Sequence, residues 1–344
     1  MRQRTFLDDD ERPEHDWYDD PASATGNREV SEPNRPRRGR KLLIVLLLVI
    51  TGIFGYAGYV TFLISKVSSQ PLDSSPLARD ETGRTNVLIL GSGDPGHDGA
   101  GLTDTIMVLS IDNVSHRTAQ ISVPRDLRVT IPGRGPAKIN AANVYGSNTA
   151  REVVAATLGI PIHYLVQTDF SGLVGLVDAV GGIDIDVKTR LKDTEYPCDD
   201  NQYRSCGLDI MPGSTHMDGA LALKYVRCRK GTCGDDFGRA ERQQEVVRII
   251  RDKMLDWHVL LNPTKLVPLV TALSRSLHTD MGSVQLVEAA RVWQAGKVDR
   301  PATLVLSTAP DGLLRNAGGS SDLVPLDGSF SAVRQRVRTI FETP

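Results

Sequence analysis

The sequence lacks several features that would assign it to a common functional class. Its net charge is only −2 over 344 residues, so the whole chain has no excess of positive charge for a polyanion, and no nucleic-acid partner is expected. None of the four cysteines forms a CxxC pair or has a histidine nearby, which leaves a zinc site without support. The glycine-rich loop from Gly91 to Asp104 lacks the GK[ST] ending of a Walker A phosphate loop.

Charge is also absent from one long apolar stretch near the N-terminus. Residues 42–64 include no charged side chain, and about 20 apolar residues suffice for a helix to cross a bilayer. A basic segment, residues 35–41, precedes the stretch, so the positive-inside rule predicts a single-pass membrane protein with residues 1–41 in the cytoplasm and the rest extracytoplasmic. A cleaved signal peptide and a buried core helix are the alternatives.

The regions on either side of this stretch have the composition of a tail and a stalk. Residues 1–41 are polar and rich in proline, with an acidic and a basic block, which is typical of disorder. Residues 65–84 are rich in serine, proline and charge, which predicts an extracytoplasmic stalk. The folded domain is then expected to cover residues 85–344.

Segments with strand and helix patterns alternate along this domain. Strands are predicted at residues 86–90, 105–111, 119–123, 163–167, 183–187 and 303–307. Helices are predicted at residues 139–145, 150–158, 170–180, 217–226, 239–257, 263–277, 283–295 and 330–341. Residues 188–210 are expected to form an irregular excursion. The pattern predicts an α/β or α+β domain with a central mixed β-sheet flanked by helices.

The segment Lys224–Gln243 is the strongest candidate for a binding site. It holds four arginines, namely Arg227, Arg229, Arg239 and Arg242. The first two are two residues apart and would share one side of an extended chain, whereas the last two are three apart at the start of a predicted helix and would share a face there. Guanidinium groups suit phosphate oxygens. A salt-bridged surface is the alternative, because Asp235, Asp236 and Glu241 lie among the arginines.

Further polar residues stand at the ends of predicted strands. Asp94 and Asp104 bring two carboxylates to the loop after the first strand, which is a plausible way to hold magnesium; an ordinary surface loop is the alternative. Arg125 and Asp126 follow the third strand, as a structural ion pair or as part of a site. The four cysteines allow three disulfide connectivities, of which Cys198–Cys206 with Cys228–Cys233 is the simplest.

Seven segments in a fixed order add a family resemblance. They read NVLILGSG, GLTDTIMVLSID, ISVPRDLRVTIPG, KINAANVYG, VDAVGGIDIDV, MDGALALKYVRCR and DDFGRAERQQEVVRII. This succession, over about residues 85–260, resembles the LytR-CpsA-Psr family of cell-wall enzymes. The resemblance implies a phosphotransferase that takes a glycopolymer from a polyprenyl-pyrophosphate carrier in the membrane and transfers it, with one phosphate, to a sugar hydroxyl of peptidoglycan. It also implies assistance by magnesium or manganese, and an apolar tunnel for the lipid.

The resemblance assigns roles to individual residues. Asp104 matches a magnesium ligand, and the residues that match pyrophosphate contacts are Arg125, Arg227, Arg229, Arg239, Arg242 and Gln243. Lys138 and Asn140 match a K-x-N motif near the entrance for lipid and phosphate. One departure is that Gly93 stands where the family has an acid, so Asp94, one residue later, would reach the metal only through an adjustment of the loop. One pyrophosphate-binding arginine of the family pattern is also missing. Asp126 is available as a general base or to orient Arg125.

Two other functions use the same residues. A non-catalytic, membrane-anchored protein that binds the lipid-linked glycan would need the tunnel and the arginines but not the metal-binding acid. A pyrophosphatase would use water as the acceptor. The sequence beyond about residue 300 does not match the additional C-terminal domain that some family members carry.

Overall fold

The computed structural model describes residues 51–52, 55–56, 58–59, 62, 65, 75–93, 101–198, 203–234, 236–254, 256–260, 262–295, 301–310, 312–318 and 321–342. The predicted tail, most of the predicted membrane helix, residues 66–74 of the predicted stalk, and Asp94 lie outside these residues. The eight described positions between residues 51 and 65 are all helical. Within the described part of the chain, no helix has the length and apolar character to cross a membrane.

In chain order the strands are β1 (Arg84–Ser92), β2 (Thr103–Asp112), β3 (Thr118–Ser122), β4 (Arg128–Ile131), β5 (Gly135–Lys138), β6 (Tyr164–Thr168), β7 (Ile183–Val187), β8 (Leu191–Asp193), β9 (Leu208–Ile210), β10 (Gly213–Met217), β11 (Leu277–Thr279), β12 (Ala302–Val305), β13 (Leu314–Asn316) and β14 (Leu323–Pro325). The α-helices are α1 (Ser147–Leu158), α2 (Phe170–Ala179), α3 (Gly219–Arg227), α4 (Asp236–Met254), α5 (Trp257–Leu260), α6 (Pro263–Ser276), α7 (Ser283–Ala295) and α8 (Ser331–Arg338). Residues Ile139–Tyr145 and Gly231–Cys233 form 3-10 helices.

Six of these strands form the central sheet, in the order β11-β6-β1-β2-β3-β12. The pairs β1–β2, β2–β3 and β6–β11 are antiparallel, whereas β1–β6 and β3–β12 are parallel. The sheet is therefore mixed and has helices on both faces, as the sequence predicted.

Strand β1 reads as a continuous apolar run because both of its faces are covered. Leu88 and Leu90 pack into the cluster that includes apolar side chains of α1 and α8. Val87 and Ile89 point to the opposite face and join the cluster that includes side chains of α7. This alternation has the period of two that a strand imposes on its side chains.

A second core fixes the helices that carry the candidate arginines. This core packs three helices against the antiparallel pair of strands β7 and β10. It includes Val177 of α2, Ile185 of β7, Val226 of α3, and Val246 and Ile250 of α4. Helix α3 begins at Gly219 because the Asp218 carboxylate caps it, accepting a hydrogen bond from the Leu221 amide at 2.8 Å.

The structure corrects the predicted elements mainly at short hairpins. Residues 188–210, expected to be irregular, contain the β8–β9 hairpin, in which Leu191 pairs with Ile210. Met217, predicted to begin a helix, instead ends β10. The β4–β5 and β13–β14 hairpins were also missed. Strands of three or four residues are too short to show an alternating pattern in the sequence.

Candidate functional site

A cavity of about 360 Å³ opens between the central sheet and helices α2, α3 and α4. One set of lining side chains is apolar and consists of Ile89, Phe170, Leu173, Leu223, Val226, Val246 and Val247. A second set is charged and consists of Asp104, Arg125, Asp169, Asp193, Glu195, Arg227, Arg229, Lys230 and Arg239. The cavity thus offers both an apolar surface and a group of cations.

Most of the predicted site residues meet at this cavity although the chain separates them widely. Asp104 comes from the start of β2, Arg125 from the turn after β3, and Arg227 from the end of α3. Arg239 and Gln243 come from the first turns of α4, and Arg239 is only 7% exposed. The fold therefore brings four separate sequence motifs to one place.

Asp104 and Arg125 contact each other directly. Arg125 Nη1 donates a hydrogen bond to Asp104 Oδ1 at 2.6 Å. The Nε atom of the same guanidinium lies 3.6 Å from Asp126 Oδ2, so Arg125 is positioned between two carboxylates. The Asp104 side chain is 39% exposed, which leaves it accessible from the cavity that it lines.

Arg227 is held by aromatic rings. Its guanidinium carbon lies 4.2 Å from the centre of the Phe170 ring and 5.9 Å from that of Tyr196. The negative face of an aromatic ring attracts such a cation. Unlike a carboxylate, the ring does not neutralise the positive charge. Both rings line the cavity, and Tyr196 is adjacent in the chain to the loop closed by the Cys198–Cys206 disulfide.

Arg229 and Lys230 are two of the four residues between Cys228 and Cys233, which a second disulfide joins into a short loop. Cys228 bonds to Cys233, and both predicted disulfide pairings are confirmed. The loop packs against β8: Thr232 Oγ1 donates to the Arg190 carbonyl at 2.6 Å and accepts from the Lys192 amide at 2.7 Å.

One glycine allows the disulfide loop to pack closely against β8. Gly231 has a φ of +62°, and a Cβ atom there would lie 2.1 Å from the Lys192 carbonyl oxygen. A larger residue would therefore push the loop away from β8.

The structure places Arg242 against backbone carbonyl groups, and its contact with a pyrophosphate stays a prediction. Among the described residues that line the cavity, Arg242 is not found. It is 8% exposed, and its guanidinium donates hydrogen bonds to the carbonyl oxygens of Tyr225 at 3.0 Å, of Cys233 at 2.8 Å, and of Cys228. These acceptors lie at the end of α3 and at both ends of the disulfide loop. Arg242 therefore holds the segment that presents Arg227 and Arg229.

Asp126, Lys138 and Asn140, predicted to contact substrate, are likewise absent from the described cavity lining. Lys138 Nζ donates to Asp126 Oδ1 at 2.5 Å and to Ser321 Oγ at 2.9 Å. The Asn140 backbone amide donates to the Arg125 carbonyl at 3.3 Å. Two of these three hydrogen bonds go to Arg125 or Asp126, so they support the turn that carries Arg125. A contact between them and substrate stays a prediction.

Sequence reasoning missed the aromatic residues and the acids around the cations. Phe170 and Tyr196 are distant in the chain from Arg227, so no local spacing signals their contact. Glu195 pairs with Lys230, and this hydrogen bond lowers the pKa of the Glu195 carboxyl.

The Tyr225 hydroxyl donates a hydrogen bond to the Glu245 carboxylate at 2.7 Å. Burial, together with this hydrogen bond, raises the pKa of the Tyr225 hydroxyl and keeps it protonated.

Replacing Arg242 by Met should destabilise the domain by about 2–4 kcal/mol, because three carbonyl groups at a buried site lose a charged donor. The free energy of unfolding from denaturant titration measures this. The matched control is Arg248→Met at a partly exposed position of the same helix, which should cost less than about 1 kcal/mol. Equal losses in the two variants would show that Arg242 has no special role in the loop.

The curated proteins similar to this chain include two teichoic acid transferases named TagU. The chain is 33% identical over 200 residues to the polyisoprenyl-teichoic acid–peptidoglycan teichoic acid transferase TagU of Enterococcus faecalis, covering 57% of this chain and 61% of that protein. It is 27% identical over 222 residues to the TagU of Bacillus mycoides, covering 64% and 67%. The chain thus spans about three-fifths to two-thirds of the length of these curated relatives.

Solved structures share the fold. The crystal structure of B. subtilis TagV superposes with a TM-score of 0.61 at 25% identity, covering 77% of this chain and all of that one. The protein gbs0355 of Streptococcus agalactiae has a TM-score of 0.61 at 24% identity, covering 77% and 90%. The family model described as the LytR_cpsA_psr family matches residues 62–311, which is most of the sequence. The chain therefore belongs to the LytR_cpsA_psr family.

Proposed function

We propose that the protein is a phosphotransferase that moves a phosphate-linked glycopolymer from a polyprenyl-pyrophosphate carrier to a sugar hydroxyl of peptidoglycan. The observation that carries the proposal is the composition of the cavity, which combines a cluster of arginines and the accessible Asp104 carboxylate with an apolar wall. A lipid pyrophosphate has the same two parts. The names of the TagU relatives, which describe teichoic acid transfer to peptidoglycan, support the same reaction class.

The reaction needs positioning and neutralisation of charge more than covalent catalysis. The oxygen of the acceptor hydroxyl forms a bond to the phosphorus that bears the glycan. The bond from that phosphorus to the bridging oxygen breaks, and polyprenyl phosphate leaves with the electron pair while the hydroxyl proton is released. Arg227, Arg229 and Arg239 line the cavity at which both phosphates would sit, and they would stabilise the charge on the transferred and leaving groups.

The residues present fit a hard divalent cation such as Mg²⁺ or Mn²⁺. Asp104 offers a carboxylate that lines the cavity and is 39% exposed, and Mg²⁺ sites commonly use one or two carboxylates together with substrate phosphate oxygens. Asp104 would hold the ion, with Asp94 as a second candidate. A bound ion would lower the charge that the incoming hydroxyl meets. Arg125 orients the Asp104 carboxylate through their 2.6 Å hydrogen bond.

The apolar wall suits the first part of a polyprenyl chain. Ile89, Leu173 and Val246 come from β1, α2 and α4, which surround the cavity. Transferring apolar lipid surface from water to such a wall contributes roughly 25 cal/mol per Å² buried. The cations would then fix the pyrophosphate while the wall favours a lipid over a soluble diphosphate.

A membrane location follows from the proposed substrate and from the uncharged stretch at residues 42–64. In this proposal the chain crosses the cell membrane once, with residues 1–41 in the cytoplasm and the catalytic domain outside. The two disulfides also suit an oxidising, extracytoplasmic environment.

Replacing Asp104 or Arg229 by Ala should reduce polymer transfer by about 100-fold or more. The first change removes the carboxylate that would hold the cation, and the second removes a guanidinium that would neutralise phosphate charge. The assay measures transfer from a lipid-linked donor to peptidoglycan fragments. Arg275→Ala, at an exposed position of α6, is the control and should transfer at the wild-type rate.

Unchanged transfer in both site variants would refute this site. A wild-type protein that binds the lipid without transfer would indicate a binding protein. Release of phosphate without an acceptor would indicate a pyrophosphatase.

An epitope tag at the N-terminus should resist protease added to intact protoplasts, whereas the domain after residue 85 should be digested. Immunoblotting for the tag and for the domain measures both. Digestion of the tag, or protection of the domain, would contradict the orientation. Absence of the tag from the mature chain would indicate a cleaved signal peptide.

A further inference from the structure

We infer that Asp322, just before strand β14, is a positioning residue for Arg125, acting through Lys138 and Asp126. The inference rests on the proposed function, in which Arg125 orients the Asp104 carboxylate that would hold the cation. It concerns a part of the chain that the family match does not reach, since that match ends at residue 311. Arg125, Asp126 and Lys138 all lie within the match.

The backbone fixes Asp322 beside the turn that carries Arg125. The Leu323 amide donates to the Asp126 carbonyl at 3.0 Å, and Leu323 forms a parallel bridge with Leu127. Leu323 is 7% exposed and packs into the same core cluster as Leu127. The β13–β14 hairpin is therefore docked on this turn by both hydrogen bonding and apolar contact.

A row of alternating charges runs from the hairpin to the cavity. Asp322 Oδ2 lies 2.5 Å from Arg128 Nη1, and Asp322 Oδ1 lies 3.7 Å from Lys138 Nζ. Lys138 Nζ lies 2.5 Å from Asp126 Oδ1, and the other oxygen of Asp126 lies 3.6 Å from Arg125 Nε. Arg125 then donates to Asp104. The Asp322 and Asp126 side chains are only 16% and 17% exposed, so solvent screens these interactions weakly.

The position of Arg125 depends on how firmly Asp126 is held by its other neighbours. The guanidinium lies between Asp104 at 2.6 Å and Asp126 at 3.6 Å, and a stronger pull from Asp126 would draw it away from the cavity. Lys138 competes with Arg125 for Asp126, and Asp322 together with Ser321 holds the Lys138 ammonium in place. Neutralising Asp322 should loosen Lys138, and Asp126 would then be less restrained on the Arg125 side.

Asp322→Asn in the full-length protein should lower the kcat of polymer transfer by about tenfold, because a small displacement of a group that stabilises the transition state is costly. The KM for the lipid-linked donor should change less than about twofold, since Arg227, Arg229 and Arg239 still hold the pyrophosphate. Asp322→Glu should restore most of the rate. Asp327→Asn, in the same C-terminal segment but hydrogen-bonded to Ser329 and Ser331, is the control and should leave kcat unchanged.

A double-mutant cycle separates positioning from general destabilisation. In an Arg125→Lys background, Asp322→Asn should have little further effect on kcat, because the group that it positions is already altered. Multiplicative losses in the double variant, or equal losses in the Asp322→Asn and Asp327→Asn variants, would overturn the inference.

The same variant can be tested without the transfer reaction. A crystal structure of Asp322→Asn should show the Arg125 guanidinium displaced from Asp104, whereas an unchanged Arg125–Asp104 contact would overturn the inference. Failure of the wild-type protein to transfer polymer would refute the proposed function, and this structure would still decide whether Asp322 positions Arg125.

Discussion

Mutual repulsion among the cations that line one cavity is the constraint on which the site depends. Four guanidinium groups and one ammonium group, those of Arg125, Arg227, Arg229, Arg239 and Lys230, share this lining. Like charges repel strongly when protein shields them from water, so such a cluster needs compensation. Four carboxylates share the lining. Asp104 contacts Arg125, Glu195 contacts Lys230, and Asp169 and Asp193 accept hydrogen bonds from backbone amides. Five cations and four carboxylates leave an excess of one positive charge in this lining, which favours a bound anion such as a pyrophosphate.

Contacts other than ion pairs also hold parts of this cluster. Aromatic rings support Arg227, and the disulfide between Cys228 and Cys233 closes the loop that carries Arg229. Arg242 fixes that loop by donating to carbonyl oxygens at both of its ends. Rings, carbonyl groups and a covalent bond orient a guanidinium or its backbone while leaving the net charge of the cluster in place for a ligand. A site built only from ion pairs would have cancelled the charge that the ligand is meant to meet.

The sequence predicted the central sheet and the convergence of Asp104, Arg125, Arg227, Arg229 and Arg239 because these residues lie in motifs of recognisable order. It did not indicate the carbonyl contacts of Arg242. A spacing of three residues rotates two side chains by about 60° relative to each other, enough to direct Arg239 toward the cavity and Arg242 toward the end of α3. Contacts between distant segments left no local signal. Phe170 and Tyr196 on Arg227, and Asp322 on Lys138, depend on tertiary packing alone.

The most direct test of the central claim is a crystal structure of the protein with a polyprenyl diphosphate and Mg²⁺. The account predicts electron density for the diphosphate between Arg227, Arg229 and Arg239, for the ion at Asp104, and for the lipid chain along the apolar wall that includes Leu173 and Val246. Density for the ligand at another surface, or a lipid chain bound with its diphosphate directed away from these arginines, would contradict it.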